Sequence, residues 1–273
     1  MNPMIRKELR QRMRERRAWI LPTLYLLVIG GAVALAYYLA AEEFNPFSIR
    51  EIQGAQLGGA IFYTVIFSQM AVLLLLAPVF SAGSVTIEKE QRTLPSLLTS
   101  LLSVGQIWWG KFVAALLFLI LLLVSALPLL SLTFAFGGVS AWQVIEATGV
   151  TLLTLACMCA VGLYCSTVFR RSVHATAACY GVVITLTVLT FVAYTILETY
   201  WRSHQLSRPA TAQPPEYILF PLYLNPFFPL GSILFAQDEA VYRHWQVSLL
   251  LYAALGCITA GFALRNLRRS GEA

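Results

Sequence analysis

Six stretches of this chain run for about twenty residues or more with almost no charge, and nothing else in the sequence limits the fold as strongly. They cover about residues 18–41, 58–85, 112–136, 143–168, 174–197 and 245–264. A helix needs ~20 apolar residues to cross a hydrocarbon layer ~30 Å thick. Inside that layer the backbone has no water to bond, which leaves helices and closed barrels. No stretch alternates as a barrel strand does. The chain therefore reads as an all-α polytopic membrane protein, a single transmembrane domain over residues 1–273. Composition agrees: 12% of residues are charged, against ~25% in soluble domains.

The net charge of +6 raises nucleic acid as a partner, but the basic residues flank apolar spans, where membrane orientation explains them better. The N-terminus and alternate loops hold fifteen of the nineteen Lys/Arg, and the opposite loops hold four. By the positive-inside rule both termini are cytoplasmic, in a cell (inner or plasma) membrane. The first seventeen residues, MNPMIRKELRQRMRERR, place Ile5, Leu9 and Met13 on one helical face among basic ones. That pattern describes an interfacial amphipathic helix (1–17) on membrane lipid. A signal peptide is disfavoured despite Ala34-Leu35-Ala36, because the apolar run exceeds a typical h-region.

One more uncharged segment, Tyr217–Ala236, would make a seventh span and move the C-terminus outside. Pro221, Pro226, Pro229 and Gly231 oppose a continuous helix. Two short helices joined near Asn225-Pro226, within an outer re-entrant segment 209–236, fit better. Such backbone is tolerated at membrane depth only where protein or a water cavity covers it.

Few residues point to chemistry. GQIWWGK, Gly105–Lys111, matches the first part of a phosphate-binding loop. Phe112 follows where Ser or Thr is needed, and no strand precedes it. No ionisable residue is centred in a span, unlike proton- or ion-driven carriers. Gln69, in the middle of the second span, reads as an interhelical hydrogen bond or as a possible pathway-lining group. Pro78 and Pro128 are expected to kink the second and third spans. His204, Glu216, Asp238, Glu239 and His244 share the outer segment between the last two spans, without a metal-binding spacing. Cys157, Cys159, Cys165, Cys179 and Cys257 lie in apolar segments without C-x-x-C, as small hydrophobes. Cys157-Met158-Cys159 suits Cu(I) in ligand type, but positions i and i+2 point to different helix faces.

The remaining feature is the charged insert IEKEQRTLPSLLTS, Ile87–Ser100, inside the coupling segment 87–104. Pro95 suits a first helical position, Leu94 before it is pushed out of helical geometry, and Gly105 reads as a C-terminal cap. Leu97, Leu98, Leu101 and Leu102 share a face. About ten residues make ~15 Å of helix, too short to span. The helix rests on lipid or docks its leucine face into a partner's groove. Its weakly charged polar face favours the groove, because lipid-binding helices are usually Lys/Arg-rich there.

EKEQRTLPSLLTSLLSVGQIWWGK resembles the signature of the type-2 (ABC-2) permease subunits of ATP-binding cassette transporters. That signature is an E-x-E-x-G-T-L run, then L-L-T, then P-L-S, then a G-K pair opening the third span. The matching residues are Glu88, Glu90, Thr93-Leu94, Leu97-Leu98-Thr99, Leu102-Ser103 and Gly110-Lys111. IRKEL, Ile5–Leu9, resembles the family's opening interfacial helix. Arg92 stands where Gly is usual and Leu101 where Pro is usual, so the turn into the insert and its bend are expected to differ from relatives.

The resemblance implies a coupling helix, with Glu88, Glu90, Arg92, Thr93, Leu94, Leu97, Leu98 and Leu101 as ATPase-coupling residues. Gly110 and Lys111 would mark the entry to the third span. It implies an export role, a second permease subunit (homo- or heterodimer), and an ABC ATPase partner that carries the ATP and Mg, with no cofactor or catalytic residue in this chain. Two other readings stay open. One is a membrane-embedded enzyme using the outer His/Asp/Glu set. The other is a non-transporting scaffold that recruits an ATPase.

Overall fold

A computed structural model of the chain describes residues 6, 8, 10, 17–42, 50–93, 103–204, 216–235 and 244–272. The described helices are α1 (Arg17–Glu42), α2 (Arg50–Ser81), α3 (Thr86–Glu90), α4 (Val104–Ser125), α5 (Leu127–Phe136), α6 (Ala141–Val168), α7 (Ser172–Ile184), a π turn (Thr185–Leu189), α8 (Thr190–Ser203), α9 (Glu216–Tyr223), α10 (Phe228–Phe235) and α11 (His244–Glu272). Among the described residues there is no strand. Six helical stretches are long and apolar enough to cross a membrane: Trp19–Leu39, Leu57–Glu90, Val104–Phe136, Ala141–Val168, Ser172–Ser203 and Trp245–Arg269. They coincide with the six apolar runs of the sequence and extend most of them.

The extensions have local causes. Ser103 caps α4: its Oγ accepts from Gln106 N, and Gln106 Oε1 accepts from Ser103 N at 3.0 Å. This reciprocal box starts the third span at Val104. Gly105 therefore lies in the first turn of α4 and does not cap the insert, which corrects the sequence expectation. The start of α6 repeats the device with Ser140 and Gln143. The third span breaks at Ala126, just ahead of Pro128, which lacks an N–H to continue the ladder. Pro78 by contrast stays inside α2.

The core forms where three spans meet. Half or nearly half of the second, third and fourth spans is buried, against 17%, 11% and 17% of the first, fifth and sixth. The central layer includes Val65, Ile66 and Leu73 of α2, Leu119 and Leu122 of α4, and Leu155 of α6. A second, smaller cluster joins Val85, Trp108 and Leu163 to Ala263 and Leu267 near the end of α11. The end of the last span thus packs at the same end of the bundle as the turn after α2. Glu8 reaches that end too, through Lys111. Glu8 and Leu267 thus lie at the same end of the bundle, as an even number of spans between them requires.

The segment that would have made a seventh span is two helices of eight residues each. At ~1.5 Å per residue each is ~12 Å long, too short to cross. Their joint is bonded on two sides. Asn225 Nδ2 donates to Thr187 O at 2.8 Å and Thr190 Oγ1 at 3.1 Å. Tyr252 of α11 donates its hydroxyl to Leu224 O at 2.7 Å. Phe227 stacks on Phe67 of α2.

Candidate functional site: the charged elbow after the second span

The charged part of the insert is not a loose loop. After Ser81 the chain turns through Ala82–Val85 into the short helix α3. Gly162 of α6 makes this close approach possible: a Cβ there would lie 1.9 Å from Ser81 Oγ and 2.7 Å from Ser81 Cβ. The first N–H groups of a helix have no intrahelical partner, and α3 has no side-chain cap of its own. Ser166 of α6 supplies one from outside. Its Oγ accepts from Val85 N at 2.8 Å and Thr86 N at 3.0 Å.

Three consecutive charged residues then reach three different elements. Glu88 Oε1 accepts from Lys111 Nζ of α4 at 2.8 Å. The same ammonium donates to Ser84 O at 2.7 Å and to Glu8 Oε1 at 3.3 Å, so one buried lysine ties the N-terminal segment, the elbow and the third span together. Lys111 is only 2% exposed. A charge so removed from water needs compensation of this kind. Glu88 Oε2 is also buried, with no partner among the described residues.

Lys89 turns the other way. Its Nζ donates to Ser166 O at 3.1 Å, Thr167 O at 2.6 Å and Phe169 O at 3.1 Å. These carbonyls end α6, the negative pole of that helix. Glu90 takes the opposite pole of the next helix. Its Oε1 accepts from Ser172 N at 2.7 Å and Ser172 Oγ at 3.0 Å, at the start of α7. Adjacent residues of opposite sign thus hold the end of the fourth span and the beginning of the fifth, each matched to the local helix dipole.

The elbow helix ends in a left-handed residue. Arg92 has φ 57°. Thr93 N donates back to Glu88 O at 2.9 Å and Arg92 N to Lys89 O at 3.2 Å. This pair of bonds is the Schellman termination, which favours glycine at its left-handed position. Arg92 occupies the position where the resembling signature carries Gly, and adopts the conformation glycine takes without cost. Beyond Thr93, the coupling positions Leu94, Leu97, Leu98 and Leu101 lie outside the described residues, as does Pro95.

The remaining sequence candidates are placed as follows. Gly110 is buried one residue before Lys111 on α4. The whole GQIWWGK stretch is helical, so it forms no loop that could cradle a phosphate. Gln69 is fully buried, and neither amide atom has a hydrogen-bond partner among the described residues. The interhelical bond expected of it is absent there. His204 ends α8 with its ring against Tyr200 and Nδ1 3.0 Å from Tyr200 O. Asp238 and Glu239, and the side chains of Glu216 and His244, lie outside the described residues. Among those described, no group of His, Cys, Asp or Glu could hold a metal. The five cysteines are free, with Cys257 exposed and the rest buried.

Several site residues had not been singled out: Glu8, Ser84, Lys89, Ser166 and Ser172. The pattern S-x-x-Q at Ser103 could have placed the start of the third span. Nothing local marks Ser166 or Ser172, whose roles depend on where α3 lands.

The family model described as ABC-2 family transporter protein matches residues 3–236. The match takes in the elbow, the insert and the first five spans. No curated protein matches the chain.

Proposed function

The chain belongs to the ABC-2 transporter family, and from that premise we propose that it is the membrane-spanning permease subunit of an ATP-driven exporter. One observation carries the reading. Three consecutive charges at the start of the insert engage the third, fourth and fifth spans and, through Lys111, Glu8 of the N-terminal segment. A load on the insert is therefore delivered to several spans at once rather than absorbed by a flexible loop.

In this reading the insert is a cytoplasmic coupling helix. Its leucine face, Leu97, Leu98 and Leu101, docks in a groove of a separate ATPase subunit. That partner binds ATP and Mg. Two permeases and two ATPases assemble in the cell membrane with both termini of this chain cytoplasmic, as the basic residues favour. The segment around Asn225 is then a re-entrant hairpin entering from the outer side. Glu88 and Glu90 contribute by fixing the base of the coupling helix, since both engage residues of their own chain.

The test is co-purification from membranes. Leu97→Asp with Leu98→Asp should abolish association with the ATPase while membrane insertion and expression stay at the parent level. Retained association would sink the docking reading. Association combined with loss of nothing but transport-linked ATP turnover would point to a scaffold.

A further inference from the structure

Polar contacts hold the fifth span at its start, at Tyr180, whose hydroxyl donates to Leu75 O of α2 at 2.8 Å, and at its middle. At its start, Glu90 of the elbow accepts from Ser172 N and Oγ. In its middle, the π turn presents Thr187 O to Asn225 Nδ2 at 2.8 Å. At ~1.5 Å per residue the first and last of these anchors are separated by about 22 Å of helix. Between them Ala175, Cys179 and Val183 pack into the core, while the other residues of that stretch are at least partly exposed.

The π turn departs from the regular helical ladder at Thr190. Thr190 N bonds to Thr185 O across the wide turn. Leu186 O, its partner in a regular α-helix, instead accepts the Thr190 hydroxyl at 2.7 Å. Thr187 Oγ1 likewise back-bonds to Val183 O at 2.8 Å. Closing the turn to α geometry would return Thr190 N to Leu186 O and shift Thr187 O relative to Asn225. Single π turns inside α-helices recur at functional sites. The hairpin has other fixed points on α2, through Phe67, and on α11, through Tyr252. Axial movement of the fifth span would therefore be felt at Asn225 as a change against a stationary frame.

We propose that the fifth span is a connecting rod, with Glu90 and Asn225 as its positioning residues, that carries motion of the elbow to the Leu224–Phe227 joint of the hairpin. This rests on the permease reading and deepens it. Coupling of this kind needs a two-state element that both sites bias, and the π turn is that element.

The experiment uses the full permease–ATPase complex in nanodiscs, in a Cys257→Ala background. One spin label sits at exposed Gln91→Cys in the elbow, the other at exposed Phe220→Cys in the hairpin. Label mobility is compared without nucleotide and with Mg, ATP and vanadate. Both labels should respond in the parent. With Glu90→Ala the elbow response should persist and the hairpin response should be lost. Glu90→Gln, which keeps an oxygen to accept from Ser172 N, should restore it. Asn225→Ala should likewise abolish only the hairpin response. If that variant does not assemble, Thr190→Val removes one acceptor of the same link and should weaken the response. A hairpin response that survives Glu90→Ala, or a silent hairpin beside a responsive elbow in the parent, overturns the rod alone. A silent elbow in the assembled parent overturns the permease reading, and the rod with it.

Discussion

Replacing Lys111 by Met keeps length and apolar stem but removes the ammonium at the centre of the elbow. Three bonds go with it: two to carboxylates and one to the Ser84 carbonyl. Lys111 is 2% exposed and Glu88 15%, so the stranded Glu88 carboxylate lies largely out of water. Breaking a buried pair by removing one partner costs ~3–5 kcal/mol, because the other charge is left uncompensated. The lost neutral carbonyl bond adds about 1 kcal/mol. Lys111→Met should thus destabilise by roughly 4–6 kcal/mol by these terms.

Neutralising the partners as well should recover most of the loss. The triple variant Lys111→Met, Glu88→Gln, Glu8→Gln is expected within ~1–2 kcal/mol of the parent, since a neutral substitute for a buried ion group is often tolerated. Reversible unfolding in mixed micelles, followed by tryptophan fluorescence, gives each free energy. The cycle then gives the coupling. Raising salt should change little, because screening barely reaches a buried pair. The account is wrong if Lys111→Met falls within ~0.5 kcal/mol of the parent, the ordinary range for surface changes. It is also wrong if the costs of Lys111→Met and Glu88→Gln simply add in the double variant.

Arg92→Gly should stabilise the elbow by up to ~1 kcal/mol, since Arg92 is exposed and pays for a left-handed backbone that glycine adopts freely. Slower amide exchange at Thr93, whose N–H bonds Glu88 O, is the readout, and faster exchange would contradict the assignment. Gly162→Ala should cost ~1–3 kcal/mol through overpacking, because its Cβ would fall 2.7 Å from Ser81 Cβ. A thermal midpoint equal to the parent's would show that α2 and α6 are looser than described.

How much of this was legible in the sequence varies by element. The six spans were, because the hydrocarbon layer demands long uncharged runs whatever the packing. The joint at Asn225-Pro226 was also legible, since prolines and a glycine forbid one straight helix. The helix that carries the third span reaches back beyond the apolar run over 112–136, because the Ser103–Gln106 box begins it at Val104. Helices that are apolar nearly all round carry no stripe to show which face is buried, so the sequence could not tell the half-buried second, third and fourth spans from the barely covered fifth.

The charged insert divides in the same way. Its cluster of four charges between Glu88 and Arg92 alone set it apart from the apolar runs on either side. They did not determine what Glu88, Lys89 and Glu90 touch. Those partners come from residues 77 to 82 positions away or, for Lys111, 23 positions away. They meet only because the second, third, fourth and fifth spans end at one level. Tertiary structure decided that meeting, by bringing the free carbonyls of one helix end and the free N–H of the next within reach of two neighbouring side chains of opposite charge.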